Sequence, residues 1–68
     1  MRWEELVGQK VRALRKAKGL SQEALAHEAG MAMRYLAGIE RGEENPTLAF
    51  LVRIADALGV EPKELLER

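Results

Sequence analysis

Glycine and proline cut this chain into pieces too short for anything but small helices. Gly19, Gly30, Gly42 and Gly59, with Pro46 and Pro62, separate five segments. In each segment the apolar residues recur at spacings of three and four, the signature of an amphipathic helix. The first runs from about Trp3 to Lys18 and places Trp3, Leu6, Val7, Val11, Leu14 and Ala17 on an arc of about 140°. The second runs from Gln22 to Ala29 behind Ser21, a favourable N-cap. Met33 to about Arg41 forms the third, with Leu36 and Ile39 as its core pair. Thr47 caps the fourth, whose stripe is Leu48, Leu51, Ile54, Ala55 and Leu58. The fifth is Pro62 to about Glu67, docked by Leu65 and Leu66. No alternation suggests a strand. The expected fold is all-α, a compact five-helix cluster filling one domain over residues 1–68.

A chain of 68 residues with no cysteine has no disulfide to staple it. His27 is the single histidine, so no structural metal site is expected, and nothing points to a cofactor or small-molecule ligand. The longest apolar run, Leu48 to Val52, is far below the roughly 20 residues of a membrane span. The start, Met1 to Glu5, lacks the pattern of a signal peptide, and a cytoplasmic location is expected. No nucleophile and base stand at a diagnostic spacing, and phosphate-loop glycine motifs are absent, so no enzyme is expected. Ser21 and Thr47 serve as caps, and His27 belongs on an exposed helix surface one turn from Glu23.

Eleven bases balance eleven acids, unlike the usual basic nucleic-acid binder. The distribution is uneven. Residues 1–20 hold six bases against Glu4 and Glu5, while residues 43–68 hold three bases against six acids. Such asymmetry can still orient a molecule on DNA. Arg12, Arg15 and Lys16 share an arc of about 100°; it is either a solvated face or a surface that steers the DNA backbone. Ser21 to Gly42 has the proportions of a helix-turn-helix, whose second helix enters the major groove. Spacing alone leaves open an ordinary helical hairpin, which is the commoner arrangement.

The sequence resembles the lambda-repressor-like, Xre/Cro-type helix-turn-helix family. The resemblance is carried by Val11-Arg12-Ala13-Leu14-Arg15, Gly19-Leu20-Ser21-Gln22-Glu23, Leu25-Ala26, Ala29-Gly30, Tyr35-Leu36, Ile39-Glu40-Arg41-Gly42, Asn45-Pro46-Thr47-Leu48, Ile54-Ala55 and Ala57-Leu58-Gly59-Val60. It implies a DNA-binding transcriptional regulator, with a repressor expected. Gln22 then matches a phosphate-contacting position, Ala32, Met33 and Arg34 the base-reading start of the third helix, and Ala37 and Gly38 the next turn. Asn45 matches a loop position that touches the DNA backbone. Arg15 and Glu40 match a pair tying the first helix to the third.

Several positions depart from the family pattern. Ala32 replaces the usual Ser or Thr, Met33 replaces a long polar residue, and Glu43 and Glu44 stand where bases are common. Arg34 is the base-reading residue that keeps hydrogen-bonding power, while Met33 and Ala37 suit a thymine methyl. The expected partner is double-stranded DNA, bound by a homodimer joined through the fifth segment and the end of the fourth, with Leu65, Leu66 or Phe50 at the contact. The apolar third helix also suits an alternative, a protein-interaction or antitoxin-like module on the same scaffold. Trp3 is expected in the core, with a self-association surface as the alternative.

Overall fold

The structure is a computed structural model and describes residues 2–67. Four α-helices follow one another: α1 (Trp3–Ala17), α2 (Gln22–Ala29), α3 (Met33–Glu40) and α4 (Leu48–Leu58). No strand occurs among the described residues. The fifth segment, Pro62–Leu66, corrects the expectation of five α-helices, because it is a 3-10 helix. Five residues hold too few i→i+4 bonds to sustain an α-helix, and the tighter i→i+3 turn suffices to bring Leu65 inward. The Glu64 N–H donates to the Glu61 carbonyl at 3.0 Å, and the Glu64 carboxylate accepts the Glu61 N–H at 2.9 Å.

Local chemistry sets the helix ends. The Ser21 Oγ accepts the Ala24 N–H at 3.0 Å and the Thr47 Oγ1 accepts the Phe50 N–H at 3.2 Å, each satisfying a first-turn donor. Ala32 has no side-chain cap to offer α3. Gly30 ends α2 with φ +70°, a left-handed conformation that reverses the chain between the two helices of the motif. The reversal is closed by the Met31 N–H donating to the Ala26 carbonyl at 2.9 Å.

One apolar core unites the elements. Val7 and Val11 come from α1, Leu25, Ala26 and Ala29 from α2, Leu36 and Ile39 from α3, Ile54, Ala55 and Leu58 from α4, and Leu65 from the 3-10 helix. Helix α2 packs on α4, α1 packs on α3, and the 3-10 helix wedges against α1 and α4. Burying each of the valine, leucine and isoleucine side chains contributes about 1.5–3 kcal/mol. Leu65 is fully buried, so it holds the fold together and is unavailable to an interface.

The buried face of α1 differs from the sequence stripe. It consists of Val7, Gly8, Val11 and Arg15, while Trp3 is 49% exposed and Ala17 lies on the surface. Trp3 therefore is not the core anchor expected of it. The rotation follows from the crossing of α1 over the end of α3. A Cβ at Gly8 would collide with the Ile39 carbonyl oxygen and lie 2.9 Å from that of Glu40. Only a residue without a side chain lets the two backbones approach this closely.

This crossing generates a first prediction. Gly8→Ala should raise helix propensity yet destabilise the protein, because the added methyl meets rigid backbone. Overpacking of this kind costs about 1–3 kcal/mol, and the upper end is expected here. Urea unfolding measures it; a variant as stable as the parent would show that the helices separate without cost.

Candidate nucleic-acid interface

Helix α3 has an inner and an outer face. Leu36, Ile39 and Glu40 point inward and are buried, whereas Ala32, Met33 and Arg34 at its start are exposed, Met33 by 51%. Ala37 is half-buried. The exposed start is the part of a second helix that reaches base edges when a helix-turn-helix docks in the major groove. Its chemistry is uneven: two small or apolar side chains flank one guanidinium.

The inner face is anchored by a charged network. The Arg15 Nε donates to Glu40 Oε2 at 2.7 Å and Arg15 Nη2 to Glu40 Oε1 at 3.0 Å, a bidentate pair. The two side chains are only 10% and 3% exposed. Arg15 Nη1 also donates to the Leu20 carbonyl at 2.8 Å. The hydrogen bond with Glu40 outweighs the cost of burial and, with the coulombic attraction, holds the Arg15 guanidinium above its ordinary pKa. Arg15 therefore leaves the arc it shares with Arg12 and Lys16, and of these three cations Arg12 and Lys16 remain exposed.

Gln22 joins this network. Its Nε2 donates to Glu40 Oε1 at 3.1 Å, and the side chain is half-buried at the first residue of α2. The residue matched to a phosphate contact is thus positioned by the carboxylate of the other helix of the motif. Asn45 is exposed and lines a hollow with Trp3, Glu4, Pro46 and Leu66. Gly38 is buried, although it lies one turn beyond Arg34, because the Glu44 side chain lies against it. Nothing in the residue pattern signals that contact, since it depends on the path of the loop after α3. The Arg41 Nε donates to Glu43 Oε1 at 3.0 Å, so Glu43 is paired at the surface.

Other side chains sit apart from this face. Phe50 is half-buried, its ring centroid 5.3 Å from that of Tyr35, with the Arg53 guanidinium carbon 5.1 Å from the Phe50 centroid. His27 is exposed beside Lys18, Glu28, Arg53 and Asp56. No group of three or more metal-ligating side chains occurs among the described residues.

Comparison with known proteins agrees with this geometry. Residues 11–65 match the helix-turn-helix family HTH_3. Control protein C.BamHI of Bacillus amyloliquefaciens is 48% identical over 63 residues, covering 91% of this chain and 78% of that protein. The crystal structure of the restriction-modification controller protein C.AhdI from Aeromonas hydrophila superposes with a TM-score of 0.89 at 47% identity, covering 91% of this chain and 94% of the other. SinR, a master regulator for biofilm formation solved in complex with DNA, gives a TM-score of 0.86 at 40% identity, covering 90% and 98%. The chain belongs to the lambda-repressor-like helix-turn-helix family of transcriptional regulators.

The network generates a second prediction. Glu40→Gln should cost about 3–5 kcal/mol, because it leaves the Arg15 charge buried without its counter-charge. The test is a urea titration followed by circular dichroism. A loss within about 0.5 kcal/mol would reassign the pair as a surface contact.

Proposed function

We propose that this chain is a transcriptional repressor that binds duplex DNA as a homodimer and reads the major groove with α3. One observation carries the reading: the start of α3 is exposed while its remainder is locked to α1 and α2 by core residues and the Arg15–Glu40–Gln22 network. A recognition element must be rigid to read bases, and this one is held by two elements at once. Gln22, Asn45 and the helix N-termini position the DNA backbone, while Arg34 reads bases and Met33 and Ala37 meet thymine methyls. Its place of work is the cytoplasm; among the described residues no helix is long and apolar enough to cross a membrane.

The proposed dimer surface shifts from the one expected. Leu65 is core and Phe50 packs on Tyr35, which leaves, among the described residues, Trp3, Leu48, Val52 and Leu66 as the exposed large apolar side chains outside α3. Leu48 is 72% exposed at the start of α4. A two-fold contact through this surface sets the recognition helices of the two copies about one DNA turn apart.

Two predictions follow from this reading. Selection from random duplex DNA should enrich a two-fold symmetric site containing guanine opposite Arg34. Arg34→Ala should weaken the preferred site by about 1–3 kcal/mol and random DNA much less. With two or three cationic contacts per subunit, the dependence of log K on log salt should have a slope of roughly −4 to −5. A pool that never enriches would instead assign the Ala32–Met33–Ala37 face to a protein partner, as in an antitoxin-like module. Separately, sedimentation at high micromolar concentration should show a dimer for the parent and a monomer for Leu48→Glu. A parent that stays monomeric with and without DNA would refute the dimer.

A further inference from the structure

We infer that Glu44 is a specificity-determining residue, a carboxylate held on the recognition helix to select cytosine, an inference that rests on the DNA-binding reading above. The placement comes from Gly38. A Cβ built there would lie 2.7 Å from Glu44 Cγ, 3.6 Å from Cδ and 3.4 Å from Oε2. The absent side chain is thus the space in which the Glu44 stem rests.

The loop is pinned so that Glu44 stays there. The Glu43 N–H donates to the Gly38 carbonyl at 2.9 Å, drawing the loop onto the end of α3. Glu43 turns its own carboxylate to Arg41, away from this role. The Glu44 carboxylate makes no hydrogen bond or ion pair among the described residues. Gly38 follows Arg34 by four residues, so the two positions share one face of the helix. The result is a guanidinium and, one turn further along, an unpartnered carboxylate.

A carboxylate accepts hydrogen bonds and donates none. Phosphates repel it, and so do the O6 and N7 of guanine and the O4 of thymine. Cytosine presents an N4 amine in the major groove with the O6 of its paired guanine on one side but a C5–H, not an acceptor, on the other. Adenine also presents an amine, but its N7 acceptor lies next to it and repels the second carboxylate oxygen. Carried into the groove, Glu44 is satisfied by cytosine and left unpaired by the other bases, and a desolvated, unpaired charge is strongly disfavoured. Much of the discrimination therefore comes from rejection of wrong bases. Arg34 and Glu44 together suit a site in which a guanine and a cytosine lie about one helix turn apart along the face of α3.

The experiment is selection from random duplex DNA with the parent, Glu44→Ala and Gly38→Ala, followed by affinity measurements on the enriched site. The parent should enrich cytosine at one position besides the guanine read by Arg34. Replacing that cytosine by thymine should weaken the parent roughly 5- to 150-fold, the range of one good base contact. Glu44→Ala should lose the cytosine preference, with less than about a twofold effect of the same replacement, and keep the guanine. Gly38→Ala should behave like Glu44→Ala, because its methyl displaces the Glu44 stem; thermal unfolding at or above the parent's temperature would show that it folds. If Glu44→Ala enriches the same sequence as the parent and binds all duplexes more tightly by one factor, Glu44 only repels phosphate and the inference is overturned. If the parent enriches no sequence, the DNA-binding reading fails and this inference falls with it.

Discussion

The bidentate contact between Arg15 and Glu40 joins the last turn of the first helix to the end of the third, and the recognition element depends on it. The carboxylate accepts from Arg15 twice and from Gln22 once, while Arg15 also donates to the Leu20 carbonyl at the turn into α2. One ion pair thus connects α1, the α1–α2 turn, α2 and α3. Hydrophobic contacts could hold these elements together at several rotations. A planar guanidinium facing a planar carboxylate tolerates few, so the pair fixes how α3 is turned about its own axis. That rotation decides which side chains face outward.

The same rigidity explains how a marginal recognition helix is maintained. Helix α3 has eight residues, no side-chain N-cap and a glycine in its interior, all unfavourable locally. Alone it would not form, since helices this short are unstable in water. Its stability is tertiary. Leu36 and Ile39 are fully buried, Glu40 is paired, and Gly8 lets α1 approach the carbonyls at its end. The sites of local weakness, Ala32 and Gly38, lie on the side facing away from the core elements or beneath the loop. The outward surface is thereby free to vary in chemistry without loosening the fold.

Charge is arranged with a similar division. The chain has no net charge, so attraction to a polyanion depends on where its cations stand. Arg15 is consumed inside the fold and Arg41 pairs with Glu43, whereas Arg12, Lys16 and Arg34 stay exposed. Arg2, Lys18, Arg53 and Lys63 are exposed elsewhere on the surface, and acids equal bases over the whole chain. Affinity then rests more on neutral donors and on base contacts than in a strongly basic binder, and sequence preference gains weight relative to nonspecific attraction.

Local features alone determined much of this protein. Glycines at the helix ends, Ser21 and Thr47 as caps, and apolar spacing of three and four are short-range signals, and they located four helices and most of the core. The match of Arg15 and Glu40 to a family pair was also readable as a pattern. Other features needed the packed chain. The rotation of α1 that buries Gly8 and exposes Trp3 depends on how closely two backbones cross, for which Gly8 inside a helix was the only local sign. The last segment is a 3-10 turn because five residues hold too few i→i+4 bonds for an α-helix, and only packing against α1 and α4 shows that it buries Leu65. The seating of Glu44 on Gly38 depends on a loop bent back across α3, and residues six apart carry no periodic signal of meeting. Sequence specifies what each short stretch prefers; distances between stretches, and therefore which polar groups are paired, covered or left facing outward, arise only when the core brings them together.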